Sequence, residues 1–475
     1  MTTARPCYVA GEWRTGDGTL DVKSPWDGSV VATLGVPTDG DVEDAVRAAV
    51  ETFDESRRLP THARAEALMH ISRRIGERLD EMAEWVAKEG GKPVKWSKVE
   101  VTRAVSTFRW AAEEARRFGG ELMRLDTEES LGSRAGIVRR FPFGPVIGIS
   151  PFNFPVNLVA HKIAPALAVG APIVLKPAGQ TPLGALILAE LFDETDLPKG
   201  MLSVLPISGE RAQRLVEDRR FKKLSFTGSG IGWKLKGLDP HKHATLELGG
   251  NAGVIVHSDA DLDHAAQRVA VGGYYQAGQS CISVQRVFVQ SEVYEEFLPR
   301  LVKQVESLKV GDPLDPSVDV GPVIDPGSAE RIEQWTREAV EGGARVLTGG
   351  TREGSLVQPT VLVDTTPDMK VCREEVFGPV ITVEPYQTFQ EAIDKVNDSP
   401  YGLQAGLFTS DIERAMLAHR EIQVGGLIVN DVSAFRADQM PYGGSKESGY
   451  GREGLRYAME EMTEPRIMVL SNVPL

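Results

Sequence analysis

Cysteine is scarce in this chain. Cys7, Cys281 and Cys372 are the three cysteines among 475 residues, too few for a disulfide framework in a protein of this length. We therefore expect a reducing compartment, the cytoplasm, which agrees with the lack of a secretory signal pattern after Met1. Each cysteine is then either a buried structural thiol, the commoner case, or a reactive one.

Long apolar runs are also missing. The least polar stretch, residues 144–175, contains His161, Lys162 and several prolines, so it predicts buried core and not a membrane span. The net charge is −14, and no basic face is visible. We therefore expect no nucleic-acid partner, no membrane partner and no metal site. An anionic ligand must be held by local positive groups against the overall field.

The apolar pattern predicts an α/β protein. It indicates an amphipathic helix over 41–58 and helices over 62–119 with a break at 90–93. From residue 144, short β-rich runs alternate with helices, which is typical of βαβ units and a mostly parallel sheet. A second alternating block follows Glu247. The chain is therefore expected to form two α/β domains that meet near this residue.

Two segments fit neither domain. Residues 122–141 have strand-like ends, and residues 464–475 begin with an apolar strand. A hydrophobic strand at a terminus is prone to aggregation unless another strand covers it. We predict that the two segments form a β-arm that docks on a second copy of the chain, giving a homodimer or homotetramer. The first domain then comprises 1–121 with 142–247, and the second comprises 248–463.

Glu247 and Cys281, each beside small residues, are the most informative pair for chemistry. A thiolate can attack an electrophilic carbon, and a carboxylate can later take a proton from the water that releases the acyl group. Asn153 follows a predicted strand and is an uncharged donor suited to the oxyanion that such an attack forms. A turn asparagine that bonds its own backbone is the commoner interpretation of this residue.

Other polar groups also follow predicted strands, where α/β enzymes bind ligands. Lys176 ends one strand, and residues 226–233 form a strand, a glycine-rich turn and a helix start, where backbone amides attract phosphate. Glu375 lies two residues before Phe377, so its carboxylate could accept from ribose hydroxyls while the ring backs a planar heterocycle. Taken singly, these patterns are equally typical of an exposed lysine, an ordinary turn and a helix end.

In this order and spacing, the asparagine segment, Lys-Pro strand end, Gly-Ser turn, Leu-Glu-Leu-Gly-Gly run, cysteine and Glu-x-Phe-Gly-Pro motif resemble the aldehyde dehydrogenase superfamily. The resemblance covers nearly the whole chain and implies a Rossmann-like NAD(P)-binding domain, an α/β catalytic domain and a β-arm for oligomerisation. It implies that Cys281 is the nucleophile, Glu247 the general base and Asn153 the side-chain half of the oxyanion hole. The implied cofactor contacts are Phe152, Lys176, Ala178, Gly179, Gly228, Ser229, Leu248, Glu375 and Phe377.

Two departures from the family pattern concern the cofactor. Gly179 stands where the family often has an acidic residue that binds the adenosine ribose of NAD. A 2′-phosphate meets no repulsion from a glycine, so NADP stays open beside NAD. The turn at Gly228 and Ser229 is one residue shorter than usual, which leaves the pyrophosphate contacts after Ser229 undecided.

The resemblance also implies the reaction, oxidation of an aldehyde to a carboxylic acid through a cysteine thioester, with Glu247 favouring release by water. Four side chains flank motifs that approach the active site in the family: Arg103, His161, Arg286 and Arg436. Because arginine suits carboxylate, phosphonate or phosphate groups, we predict a small polar or anionic aldehyde as substrate. The alternatives are a broad-specificity enzyme for neutral aldehydes and a binding protein that keeps the fold without turnover.

Overall fold

The computed structural model of the protein describes residues 4–472. Its first large sheet has eight strands, and five consecutive ones, from Leu202–Val204 to His243–Glu247, run parallel. Inner strands such as Val146–Ile149 consist of buried residues, as expected where helices cover both faces of a parallel sheet. In spatial order the strands are Glu12–Arg14, Cys7–Val9, Leu202–Val204, Ile173–Lys176, Val146–Ile149, Lys223–Thr227, His243–Glu247 and Gly449–Tyr450.

Helices from the first half of the chain pack around this sheet. The first begins at Asp39, where Thr38 forms a capping box with Asp41, and the predicted break at 90–93 separates two later helices. A further break at Arg78 has no local sequence signal. The helices are Asp39–Ser56, Thr61–Glu77, Leu79–Gly90, Val94–Arg117, Asn157–Val169, Leu183–Asp193, Gly209–Glu217 and Ile231–Leu238, with a 3₁₀ turn at Lys199–Met201.

The second large sheet has seven strands and its own core. In spatial order they are Arg345–Thr348, Thr360–Val363, Val380–Tyr386, Val284–Gln290, Ala252–Val256, Gln404–Phe408 and Gly426–Val429. The helices that follow Glu247 are Leu262–Tyr274, Ser291–Glu306, Pro326–Glu341, Lys370–Arg373, Phe389–Asn397, Ile412–Glu421 and Leu455–Glu461, with a 3₁₀ turn at Tyr275–Gly278. The predicted α/β class with parallel sheets is confirmed.

Smaller sheets complete the fold. Glu121–Arg124, Arg134–Pro142 and Thr463–Ser471 form a three-stranded antiparallel sheet, and a 3₁₀ turn, Glu129–Leu131, lies within the predicted arm segment. The two-stranded ribbons pair Gly18–Lys23 with Val30–Val36, Arg352–Glu353 with Leu356–Val357, and Tyr401–Gly402 with Ser445–Lys446.

The division into domains by residue number stays a prediction. The helix Leu455–Glu461 falls within the predicted second domain, yet Leu455 and Met459 belong to the apolar core of the first sheet. Residues 1–3 and 473–475, at the ends of the predicted first domain and arm, lie outside the described residues. No helix between Ala4 and Asn472 has the length and apolarity needed to cross a bilayer.

Candidate active site

Cys281 and Glu247 meet where the two large sheets adjoin. Glu247 ends a strand of the first sheet, and Cys281 lies just before the strand Val284–Gln290 of the second. A Cβ at Gly250 would collide with the carbonyl oxygen of Cys281, so the glycine lets the two segments touch. The two motifs are thirty-four positions apart in the sequence, yet they are in direct contact in the fold.

The backbone before Cys281 is tightly bent. Gln276 has φ of +54° and Gly278 has φ of +69°, both in the left-handed region. A Cβ at Gly278 would collide with the carbonyl oxygen of Gly378, so glycine is required at this position. The bend presents Cys281 to a cavity instead of burying it in the core, and the residue is only partly exposed there.

The Cys281 sulfur lies 3.1 Å from the hydroxyl oxygen of Tyr442. Burial raises the pKa of the thiol to about 12, the hydrogen bond to Tyr442 opposes that rise, and the charges of Glu375 and Glu247 add to it. The sulfur is therefore a thiol at neutral pH in the cofactor-free protein. Any thiolate chemistry here needs a further positive influence, as expected from a bound nicotinamide cation.

Glu247 is buried, and neither of its carboxylate oxygens has a hydrogen-bond partner among residues 4–472. Burial, and then the negative charge of Glu453, raises the pKa of this carboxyl well above its ordinary value. A carboxylate with a raised pKa and free lone pairs is suited to take a proton from water near neutral pH.

Glu453 behaves in the opposite way. Burial alone would raise its pKa, but the ammonium of Lys162 and the guanidinium of Arg436 hold the pKa at about 2. Its two oxygens lie 3.3 Å from Lys162 Nζ and 3.0 Å from Arg436 Nη2. Glu453 is therefore ionised at neutral pH. Its negative charge favours the protonated form of the Glu247 carboxyl. Sequence analysis did not identify Lys162, Glu453 or Tyr442 as site residues.

Asn153 lies behind the thiol loop. Its Nδ2 donates to the backbone carbonyl oxygen of Gln279 over 2.9 Å, and the backbone carbonyl oxygen of Asn153 accepts from the side-chain amide of Gln276. An amide nitrogen carries two N–H groups, so one remains available for an oxyanion at Cys281. The turn interpretation does not hold for this asparagine, because its side chain bonds the backbone of a distant segment.

An open cleft of about 1,030 Å³ lies at the edge of the first sheet, on the far side of the site. We call it the outer cleft. Its wall includes Lys176, which ends a strand, and Ser208, which caps the helix Gly209–Glu217. Gly179 also lines it, and a Cβ there would meet nothing closer than Leu20 at 3.9 Å. The cleft combines two lysines, Lys23 and Lys176, with helix-end amides and open space, which suits a dinucleotide with its phosphates.

The remaining predicted cofactor residues are not part of the lining of the outer cleft. Glu375 accepts from the Gly250 amide over 2.8 Å, and burial raises its pKa to about 7. Phe152 and Phe377 meet edge to face with centroids 5.8 Å apart. The others occupy strand ends and turns: Ala178 after Lys176, Gly228 and the exposed Ser229 before the helix Ile231–Leu238, and the buried Leu248 after Glu247. This donor set fits NAD or NADP.

A smaller cavity of about 270 Å³ opens at the Cys281 sulfur, and we call it the thiol cavity. Arg103 and Arg436 line it together with Tyr442, three further charged residues (Lys92, Glu100 and Arg268) and several aromatic and aliphatic side chains. Arg103 donates to Asp438 over 2.8 Å, and Arg436 lies with its guanidinium 3.8 Å from the ring centroid of Tyr442. Two of the four predicted substrate residues are therefore brought to the cavity.

The other two predicted substrate residues are not at the cavity wall. His161 is 1% exposed and its Nε2 lies 3.0 Å from Asp438, so it supports the carboxylate that holds Arg103. Arg286 is buried elsewhere, with its guanidinium donating to the carbonyl oxygens of Asn251, Lys395 and Val396. We correct both expectations: His161 and Arg286 lie near a motif in the sequence but do not line the cavity at the thiol.

Comparison with known proteins agrees with this geometry. The model of the aldehyde dehydrogenase family matches residues 13–468. The chain belongs to the aldehyde dehydrogenase family. It is an NAD(P)-dependent oxidoreductase, as the sequence predicted, and the alternative of a binding protein without turnover is set aside.

Similar members of this aldehyde dehydrogenase family are known in detail. The chain is 46% identical to the 3-sulfolactaldehyde dehydrogenase of Priestia aryabhattai, covering 98% of this chain and 97% of that protein. A crystal structure of aldehyde dehydrogenase 21 from Physcomitrella patens, in complex with the reaction product succinate, is 43% identical and superposes with a TM-score of 0.98 over 100% of this chain and 99% of that one. The glyceraldehyde-3-phosphate dehydrogenase of Methanocaldococcus jannaschii, complexed with NADP, is 36% identical with a TM-score of 0.91, covering 95% and 99%.

Proposed function

We propose that the protein oxidises a small anionic aldehyde, held by Arg103 and Arg436, to the corresponding carboxylate. The observation that carries the proposal is that two guanidinium groups line the thiol cavity, which opens at the Cys281 sulfur. The guanidinium fork donates in the geometry that a carboxylate, sulfonate or phosphate accepts, so an anion that accepts from both arginines is favoured.

The two guanidinium groups are fixed before any ligand arrives. Arg103 is tied to Asp438, and Arg436 to Glu453, each through Nη2. The ion pairs lower the cost of keeping two cations in one small cavity, and they leave the remaining N–H groups as donors. Local positive groups of this kind offset the net charge of −14 for an anionic substrate.

Three similar proteins support an anionic substrate. One acts on 3-sulfolactaldehyde, one has succinate as its reaction product, and one acts on glyceraldehyde 3-phosphate. Each of these compounds is short and carries a sulfonate, carboxylate or phosphate. A cavity of about 270 Å³ suits a molecule of that size.

In the proposed mechanism, the Cys281 thiolate forms a bond to the aldehyde carbon, and the second N–H of Asn153 stabilises the oxyanion that the carbonyl oxygen becomes. A bound NAD(P)+, which Lys176, Ser229 and Glu375 would hold, would supply the acceptor for the hydride that leaves this carbon, so that a thioester to Cys281 remains. Glu247 then takes a proton from water, and the resulting hydroxyl adds to the thioester carbon. The C–S bond breaks, the acid is released, the sulfur leaves as the thiolate and Glu247 passes its proton to solvent.

We also propose that the β-arm joins two copies of the chain, as a homodimer or a pair of such dimers. The arm presents exposed apolar side chains, with Leu122 at 70% exposure, Ile467 and Met468 at 54% and Val469 at 48%. Their side chains would be covered by a partner. Since Cys7, Cys281 and Cys372 are all free, the cytoplasm is the proposed location.

Steady-state kinetics with a matched pair of aldehydes test the substrate proposal. 3-Sulfolactaldehyde and lactaldehyde differ by the sulfonate, and we expect kcat/KM to favour the former by about a hundredfold. Hexanal is the apolar comparison, and NAD and NADP are tried with each. A kcat/KM for hexanal equal to or above that for the sulfonate would contradict the proposal.

A further inference from the structure

Tyr442 is a cavity residue whose role follows from its contacts and not from its neighbours in sequence. Its hydroxyl lies 3.1 Å from the Cys281 sulfur, and its side chain is almost fully enclosed at 3% exposure. Its backbone is bonded in both directions to Glu453, through amide-to-carbonyl distances of 3.0 Å and 2.7 Å. These two hydrogen bonds fix the backbone of Tyr442, and its hydroxyl lies against the Cys281 sulfur.

The donor in this contact changes with the state of the sulfur. With a thiol, either group can donate, whereas with a thiolate the tyrosine O–H is the group that has a proton to donate. Burial raises the pKa of the Tyr442 phenol well above its ordinary value, so the phenol stays protonated while Cys281 ionises. A hydrogen bond to a charged acceptor is stronger than one to a neutral acceptor, so the contact favours the thiolate.

Arg436 strengthens the donor. Its guanidinium lies 3.8 Å from the centroid of the Tyr442 ring, and Glu453 fixes it there through a 3.0 Å ion pair. A cation above the ring face attracts the ring electrons and so withdraws electron density from the phenol oxygen. The O–H of Tyr442 therefore becomes a better hydrogen-bond donor. The Arg436–Tyr442–Cys281 contacts thus link the substrate-anion site to the sulfur.

We propose that Tyr442 is a positioning residue whose hydroxyl holds the Cys281 sulfur and stabilises its thiolate, a role that rests on Cys281 being the nucleophile. The other charged or titratable groups that face the sulfur are Glu247, Glu375, Arg436 and Tyr275. Both glutamates disfavour the thiolate, and Arg436 favours it.

Alkylation of Cys281 in the Tyr442→Phe variant tests the proposal. The substitution removes one oxygen and keeps the ring under Arg436. Below the thiol pKa, the alkylation rate with iodoacetamide rises with pH in proportion to the thiolate fraction. We expect the whole rate–pH line of the variant to lie at least about tenfold below that of the native protein. A superimposable line, with labelling mapped to Cys281, would overturn the proposal.

Tyr275→Phe is the matched control. Tyr275 lines the same cavity, but its hydroxyl bonds Ser280 and not the sulfur. Its rate–pH line should coincide with that of the native protein. An equal displacement in both variants would show a general loosening of the cavity and would count against a specific role for Tyr442.

A second measurement keeps the Tyr442 ring and its hydroxyl in place and changes only the acidity of the phenol. Replacing the tyrosines with 3-fluorotyrosine makes each phenol more acidic, so the Cys281 alkylation rate should rise. The increase should be absent when Tyr442→Phe is made in the same background, and its persistence there would refute the proposal. Dehydrogenase activity in Cys281→Ser would instead remove the nucleophile assignment, so the two failures are distinguishable.

Discussion

The outer cleft and the thiol cavity recognise their ligands by different means. The outer cleft is wide, at about 1,030 Å³, and is lined by strand ends, a helix cap and the open Gly179. The thiol cavity is about 270 Å³, and two of its arginines are tied to buried carboxylates, Arg103 to Asp438 and Arg436 to Glu453. The first site uses backbone and small residues that occur in short motifs. The second uses charges contributed by remote segments.

This difference decides what a substitution does at each site. In the outer cleft a new side chain changes one contact with the cofactor, because Gly179 has space around it. In the thiol cavity a lost charge takes a partner from a buried carboxylate: without Arg103, Asp438 keeps only its contacts with Asn157 and His161 within the described chain. A buried charge that loses a charged partner is costly, so effects there are larger and less local.

The largest effect is expected for Cys281→Ser. The hydroxyl of serine is a far weaker nucleophile than sulfur, so NAD(P)H production should fall by at least about a thousandfold. Cofactor affinity in the outer cleft, followed by fluorescence titration, should stay within a few-fold of the native value. Cys372→Ser, at a buried cysteine outside the cavity, is the control and should retain activity. Near-normal turnover by Cys281→Ser would contradict the mechanism.

Glu247→Gln should slow release of the acid by about a hundredfold or more, since a general base typically contributes that much. Because burial and Glu453 raise the Glu247 pKa, the native hydrolysis rate should rise with pH as the carboxyl ionises and then level off. The variant should lose this rising limb and accumulate acyl-enzyme, seen as a burst of NAD(P)H and an added mass on Cys281. An unchanged pH profile of the hydrolysis step would argue against Glu247 as the base.

The same contrast explains what the sequence could predict. The strand ends and turns of the outer cleft, such as Lys176 and Gly179, follow from local sequence patterns, and the alternation of strands and helices that positions them could also be predicted. The contact between Tyr442 and Cys281 joins residues 161 positions apart. No local pattern announces such a contact, which depends on how the loop after the second sheet folds back.

Arg286 is the reverse case, a residue that the sequence placed near the substrate and that the structure places elsewhere. It flanks the cysteine motif in sequence, yet it lies within a strand whose direction carries it away from the thiol cavity. There its guanidinium satisfies backbone carbonyls, as a buried arginine must. Lys162 was noted only as an interruption of an apolar stretch. A lysine in a helix that is otherwise entirely apolar or neutral is a signal for a buried ion pair, here with Glu453.

Arg103→Gln should change the kinetic constants for the substrate and leave those for the cofactor unchanged, which would sharpen the contrast between the two sites. Loss of the guanidinium removes one donor to the substrate anion, so kcat/KM for 3-sulfolactaldehyde should fall by about a hundredfold. The value for neutral lactaldehyde should change much less, and the KM for NADP should not change. Arg58→Gln, at a surface arginine paired with Asp54, is the control. An equal loss with both aldehydes would mean that Arg103 supports the fold and does not bind the anion.

The smallest effect is expected for Gly179→Glu, in the outer cleft. Because a side chain at this position has room, the fold should be unchanged. The new carboxylate would repel a 2′-phosphate, so the KM for NADP should rise by about tenfold, while the KM for NAD should stay level or fall. Gly179→Ala adds the Cβ without the charge and should leave the ratio of the two KM values unchanged. A parallel rise for both cofactors would place the adenosine ribose away from Gly179, and the openness of the cleft would then not explain use of NADP.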